Sequence, residues 1–109
     1  MNKIEQIEVL KQRTKDFSLR IIRLFQALPK TDEARIIGKQ LLRSSTSVAA
    51  NYRAACRARS DAEFFSKISI VVEEADETLF WIELLMEAAI IEKHLIKSLL
   101  DESEQLVKS

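Results

Sequence analysis

Glycine, proline and cysteine are nearly absent from this sequence, which contains one of each: Gly38, Pro29 and Cys56. With so few residues that turn or break a chain, long helices are favoured. A single glycine also excludes the glycine-rich loops of P-loop and dinucleotide-binding proteins. One cysteine cannot form a disulfide within the chain and no signal segment opens it, so we expect a reducing, cytoplasmic setting.

The sequence also contains a single histidine and has no net charge. Because His94 is the only histidine, one chain cannot build an HExxH zinc site or the paired Glu-x-x-His motifs of a di-iron bundle. The 17 basic and 17 acidic residues give a formal net charge of zero, so no overall field attracts nucleic acid or an anionic membrane. No apolar run approaches the roughly 18 residues that span a bilayer. We expect no metal, no cofactor and no membrane association.

The sequence also lacks a recognisable catalytic constellation. Cys56 has no histidine near it and is more typical of a small packing residue than of a nucleophile. The acids Glu73, Glu74, Asp76 and Glu77 lie within two helical turns, so we expect them to face water or neighbouring bases. The sequence therefore predicts a protein without enzymatic activity.

The spacing of apolar residues predicts the first two helices. From Ile7 to Leu28 these residues recur at steps of three and four, as in a packed helix, and Pro29 ends the pattern. Thr31 is followed by two acids and supplies a cap, so a second helix starts near Asp32. Small and medium residues along this helix indicate close packing against its neighbours.

Two further helices complete the chain. Ser60 and Glu63 have the Ser-x-x-Glu spacing of a capping box, which places a turn at 58–60 and a helix start after it. A break at 89–92 precedes a fourth helix that is indicated by spaced leucines. Because short connections force neighbouring helices to be antiparallel, the sequence predicts an all-α, antiparallel up-and-down four-helix bundle in one domain, residues 1–109.

Charge is segregated between helices two and three. Every charged residue from Arg35 to Arg59 is basic, whereas from Asp61 to Glu87 Lys67 stands alone among eight acids. One interpretation pairs the two helices by salt bridges, within a subunit or between subunits. The other assigns phosphate binding to a stripe on helix two, formed by Lys39, Arg43, Arg53 and Arg57 with Arg59 at its end. Base-specific recognition is not supported, because no aromatic residues alternate with these basic ones.

Helix three carries more large apolar side chains than one small bundle can cover. Its aromatic residues are Phe64, Phe65, Phe80 and Trp81. Self-association would cover those that the bundle leaves exposed. A monomer with a few exposed aromatic residues is the alternative.

Two segments carry a resemblance to a known family. After Leu28-Pro29-Lys30, the segment LLRSSTSVAANYRAACRARS runs from Leu41 to Ser60, and EEADETLFWIELL runs from Glu73 to Leu85. Together with Ala62-Glu63-Phe64 they resemble the four-helix bundle family of 23S rRNA intervening-sequence proteins. The resemblance spans residues 20–106 of this sequence.

This resemblance implies a bacterial, non-enzymatic bundle that assembles into a ring-like homopentamer. The fold is also similar to the accessory protein of diversity-generating retroelements, a pentameric bundle that binds nucleic acid and a reverse transcriptase through basic surfaces. The asparagine of the family's helix-two motif matches Asn51, and its basic positions match Arg43, Arg53, Arg57 and Arg59. The sequence departs from the pattern at Ser45 and Ala49, where glycines are frequent, and lacks a Gly or Ser cap at 89–92.

We therefore predict a self-assembling bundle whose second helix either contacts structured RNA or another nucleic acid, or holds subunits together against the acidic third helix. The residues assigned to this role are Lys39, Arg43, Asn51, Arg53, Arg57 and Arg59. A structural adaptor that recruits a protein partner is the alternative function, with the charged helices serving assembly alone.

Overall fold

Four α-helices form nearly all of the chain in this computed structural model, which describes residues 2–108 and contains no strand within that range. The helices are α1 (Lys3–Ala27), α2 (Asp32–Cys56), α3 (Asp61–Glu87) and α4 (Lys93–Lys108). The ends of the predicted domain, positions 1 and 109, lie outside the described residues. The all-α prediction with four helices is confirmed.

Short connections arrange the helices in an up-and-down bundle. Neighbouring helices are antiparallel. Residues early in α1 lie beside residues late in α2 and in α4, and residues late in α2 lie beside residues early in α3. Within residues 2–108, α1 and α3 each pack against α2 and α4, while the backbones of the two diagonal pairs do not approach each other closely. This square arrangement places all four helices around one core.

Local capping explains two of the helix starts. Thr31 Oγ1 accepts a hydrogen bond from the Ala34 N–H at 3.3 Å, and Ser60 Oγ accepts one from the Glu63 N–H at 3.1 Å. The Glu63 carboxylate accepts the Arg59 N–H at 3.5 Å, one residue before the position of an ideal capping box. The predicted starts of the second and third helices are confirmed.

The core lies where the predicted apolar faces meet. Each helix contributes at least one large side chain that is fully buried, and these are Ile21, Leu41, Ile82, Leu85 and Ile96. Burying a side chain of this size stabilises the fold by about 2 kcal/mol. The leucines and isoleucines whose spacing predicted the helices therefore form the core, and their burial is the main stabilising contribution to the fold.

A layer of buried hydroxyl groups lies beside this apolar core. Thr78 Oγ1 donates to Ser44 Oγ at 2.9 Å across the α2–α3 contact, and Ser18 Oγ donates to the Ser45 carbonyl at 3.2 Å across the α1–α2 contact. Among the described residues, no buried side-chain nitrogen or oxygen lacks a hydrogen-bond partner. These small polar side chains let α2 approach both neighbours without leaving a polar group unsatisfied.

The corner between α3 and α4 is built without glycine. The Ile90 N–H donates to the Leu85 carbonyl at 3.0 Å and the Ala89 N–H to the Met86 carbonyl at 3.1 Å, the two bonds of a Schellman motif. Ala89 therefore takes a left-handed conformation with φ 55°. Ile90 packs against the core cluster. The break predicted at 89–92 is confirmed, and packing of Ile90 stabilises a conformation that alanine disfavours.

Replacing Ala89 by glycine should relieve this backbone strain. We expect Ala89→Gly to raise the free energy of unfolding by about 1 kcal/mol, because glycine adopts positive φ without a steric penalty. Urea unfolding followed by the fluorescence of Trp81 measures the change. Ala88→Gly is the matched control, since Ala88 has φ −79° and glycine there relieves nothing. Equal stability of Ala89→Gly and the unmodified protein would contradict the strain argument.

Candidate nucleic-acid interface

The predicted basic residues of α2 do not form one continuous stripe. Arg43 faces α3, whereas Arg53 and Arg57 line a groove between α1 and α2. Lys39 lies in a second pocket, at the opposite end of the same helix pair. Arg43 is therefore ion-paired toward α3, Arg53 and Arg57 line the groove toward α1, and Lys39 lies apart from the groove in the second pocket.

Arg43 is engaged by the acidic helix of its own subunit. Its Nη1 lies 3.2 Å from both carboxylate oxygens of Glu74, its Nη2 contacts Glu77, and its Nε donates to Gln40 at 3.1 Å. Burial opposes the charge of Arg43, but the hydrogen bond that Arg43 donates to Glu77 and the charges of the Glu74 and Glu77 carboxylates outweigh it and raise the arginine pKa. For this residue, the interpretation that pairs helices two and three within a subunit is the one observed.

Glu77 is also held by an aromatic residue of α3. Trp81 Nε1–H donates to Glu77 Oε2 at 2.9 Å, and Phe80 packs edge-on against the indole with ring centroids 4.9 Å apart. The Trp81 hydrogen bond is the main cause of a lowered pKa for Glu77; partial burial opposes it and Arg43 adds to it. As predicted for the acidic run, this carboxylate meets a neighbouring base.

Asn51 and Arg59 lie outside the groove. The Asn51 amide donates to the Ser47 carbonyl and hydroxyl, both at 3.0 Å, and is half-buried against its own helix. Arg59 is exposed and its Nε lies 3.6 Å from Glu63 Oε2. Each therefore has a local partner, and neither contributes to the lining of the groove.

The groove between α1 and α2 brings four cations together in a cavity of about 490 Å³. Lys11 and Lys15 of α1 face Arg53 and Arg57 of α2, each pair one helical turn apart. Small side chains at Ala49 and elsewhere on α2 complete the lining. Sequence reasoning missed the two lysines because it considered helix two alone; their i,i+4 spacing was visible, but not which face of helix one meets helix two.

Positive charge in this groove is largely uncompensated. Glu8 is the single acid in the lining, and its Oε1 pairs with Lys11 Nζ at 3.3 Å. Within residues 2–108, the side chains of Lys15, Arg53 and Arg57 make no hydrogen bond or ion pair. Three cationic groups with unused donors therefore point at one cavity, which is the arrangement that binds phosphate oxygens.

Other chemistries have little support in the described part of the chain. No group of three His, Cys, Asp or Glu side chains there could hold a metal ion. His94 is exposed with its Nδ1 3.2 Å from Glu92 Oε2, and Cys56 is exposed at the end of α2. Burial, followed by the neighbouring Cys56, raises the pKa of Tyr52 to about 12. None of the helices described is long and apolar enough to cross a membrane.

The fold and the groove define the class: a small antiparallel four-helix bundle with a cationic cleft between its first two helices. The sequence model of the 23S rRNA-intervening sequence protein family matches residues 5–109, so the chain belongs to this family. A similar solved structure is that of a protein of unknown function from the S23 ribosomal protein family of Bacteroides thetaiotaomicron VPI-5482. It is 35% identical, with a TM-score of 0.86 over 94% of this chain and 91% of that one. No curated protein matches significantly.

The Glu77 contacts predict an acid-dependent loss of stability. A carboxylate whose pKa is lowered by folding contributes stability above its unfolded pKa of about 4.3, and this contribution is lost as pH falls through the folded pKa. We expect the free energy of unfolding to fall between about pH 5 and pH 3, and to fall less in Glu77→Gln. Urea unfolding at both pH values measures this, with Glu87→Gln as the exposed control. Parallel losses in all three proteins would contradict it.

Proposed function

We propose that this protein is a non-enzymatic scaffold that assembles as a homopentamer and binds the phosphates of structured RNA through the α1–α2 groove. The observation that carries the binding role is the uncompensated charge of Lys15, Arg53 and Arg57 in one cavity. The subunit number rests on the family resemblance alone.

The lining of the groove suits backbone phosphates better than bases. Two guanidinium groups can each bind a phosphate by two parallel hydrogen bonds. No aromatic side chain lines the groove, so it offers no platform on which an unpaired base could stack. Because the net charge of the chain is zero, attraction to RNA is local, and binding should depend steeply on salt.

Exposed apolar side chains support the assembly. Phe65 is 68% exposed, Val72 59% and Phe80 49% on α3, and Ile36 is 64% exposed on α2. Helix α4 has 16 residues and α3 has 27, so α4 cannot cover α3 along its whole length. Trp81, in contrast, packs against the core cluster of its own subunit. Burial of the exposed set between subunits would remove it from water.

Assembly would also strengthen RNA binding. Each groove has three unpaired cations, and a few phosphate contacts give only modest affinity at physiological salt. Five grooves on one particle would raise the effective concentration of each for an RNA that reaches several of them. The two parts of the proposal therefore support each other.

Arg53→Glu tests the binding role. We expect at least a tenfold loss of affinity for a structured RNA fragment, because the substitution places a carboxylate in the groove. Fluorescence anisotropy at about 50 and 200 mM salt measures affinity, which should fall steeply with salt in the unmodified protein. Arg59→Glu is the matched control, because this substitution makes the same charge change at a residue outside the groove.

The mass of Arg53→Glu separates the alternatives. Loss of RNA binding with an intact assembly supports phosphate binding, whereas dissociation means that the arginine holds subunits together. Absence of binding by the unmodified protein at low salt would refute the RNA role and leave the protein adaptor as the better proposal.

Replacing exposed aromatic residues tests the assembly. We expect Phe65→Ser combined with Phe80→Ser to convert the oligomer to a monomer of 12.5 kDa, because the variant removes apolar surface that the interface would bury. Sedimentation velocity measures the mass, and Ser66→Asp, at an exposed polar position of the same helix, should leave it unchanged. Retention of the full mass by the double variant would place the interface elsewhere.

A further inference from the structure

A second cluster of cations lies at the corner between α1 and α2. Lys30, Arg35 and Lys39 line a pocket of about 280 Å³ together with three apolar residues, Phe25, Leu28 and Pro29. Lys30 Nζ donates to the Gln26 carbonyl at 3.4 Å, while the side chains of Arg35 and Lys39 make no hydrogen bond or ion pair within residues 2–108. The acids in the first turn of α2 form no ion pair with these cations.

The two clusters are in line along α2. Arg35 and Arg53 are 18 residues apart, and so are Lys39 and Arg57. At 3.6 residues per turn, 18 residues make five turns, so each pair lies on the same side of the helix, about 27 Å apart along its axis. The corner cluster and the groove therefore face one direction and are held at a fixed distance by a single continuous helix.

The segments of α1 and α2 that connect the two clusters carry no acid. α2 contains no acid from Ala34 to its end, and α1 contains none from Phe17 onward. Leu19 and Ile22 of α1, both partly exposed, lie along the helix between the lysines of the groove and the corner. A polyanion that spans the two clusters would meet apolar and basic side chains along this face.

From this spacing we propose that the groove and the corner cluster bind one RNA duplex together, each cluster contacting phosphates at a different point along it. This inference rests on the proposed function of the groove. At about 3.4 Å per base pair, a separation of about 27 Å corresponds to roughly eight base pairs, and somewhat more in the shorter rise of A-form RNA. The ligand is thus a duplex long enough to reach both clusters.

A duplex fits better than a flexible single strand for two reasons. Rigid spacing of cations matches a ligand whose phosphates are also rigidly spaced, and paired RNA is recognised mainly by shape and backbone contacts. Stacking platforms, which single-strand binders use, are missing from the groove. Phe25 at the corner packs beside Gly38, because its Cδ1 lies 3.0 Å from the position that a Cβ on Gly38 would occupy. The ring of Phe25 is therefore packed into the interface between α1 and α2.

The test compares RNA hairpins with stems of about 5 and 16 base pairs, of which the longer alone can reach both clusters. The variant combines Arg35→Gln with Lys39→Gln. At about 50 mM salt we expect at least a tenfold loss of affinity for the long stem, a slope against salt lower by about two, and less than a twofold change for the short stem. Lys93→Gln with Lys97→Gln is the control: it makes the same charge change one turn apart on α4, which lies diagonal to α2 in the bundle.

Equal losses for both stems, or no loss for either, would overturn the shared-duplex inference while leaving the groove intact. Failure of the unmodified protein to bind either stem would overturn the proposed function as well. A single-stranded RNA of the same length that binds as tightly as the long stem would overturn the duplex assignment, and tighter binding of a DNA duplex would overturn the RNA assignment. Circular dichroism and mass confirm that each variant folds and assembles before its binding is compared.

Discussion

The close approach of α1 and α2 is the constraint on which both the core and the groove depend. A Cβ added to Gly38 would lie 2.6 Å from Leu28 Cδ1 and 3.0 Å from Phe25 Cδ1, so a larger residue at this position would force these side chains to move. Further along, Ser45 and Ala49 continue the small side chains toward the groove. Because the side chains of α2 that face α1 are small, the long lysine and arginine side chains of both helices can reach one cavity.

Because α2 lies between an acidic helix and a basic one, its arginines differ in ion pairing. On the α3 side, Glu74 and Glu77 neutralise Arg43. On the α1 side the charged residues that line the groove are two lysines and Glu8, and Glu8 pairs with Lys11 alone. The chain therefore has no net charge, but the α3 side of α2 faces acidic residues and its α1 side carries uncompensated positive charge. The uncompensated side is where an external anion lowers the electrostatic energy of the fold most.

Features set by local chemistry could be predicted from the sequence, while those set by packing could not. Caps at Thr31 and Ser60 gave the starts of two helices, because side chain and backbone lie three residues apart. The left-handed Ala89 had no local signal, since packing of Ile90 holds it. At the site, the spacing of the arginines was readable, but the lysines of α1 depend on which face of that helix turns toward α2, and the partners of Arg43 depend on the register between α2 and α3.

In the proposed assembly, the exposed phenylalanines and the groove would lie on different helix pairs of a subunit. The exposed phenylalanines Phe65 and Phe80 belong to α3, whose backbone approaches α2 and α4 closely and lies diagonal to α1 in the bundle. An interface formed through them would not need to cover the cavity between α1 and α2. The α2–α3 contact, with its Ser44–Thr78 hydrogen bond and the ion pairs of Arg43, joins the helix that carries these phenylalanines to the helix that lines the groove. In the proposed assembly, the position of α3 at the interface would therefore set the orientation of each groove on the particle.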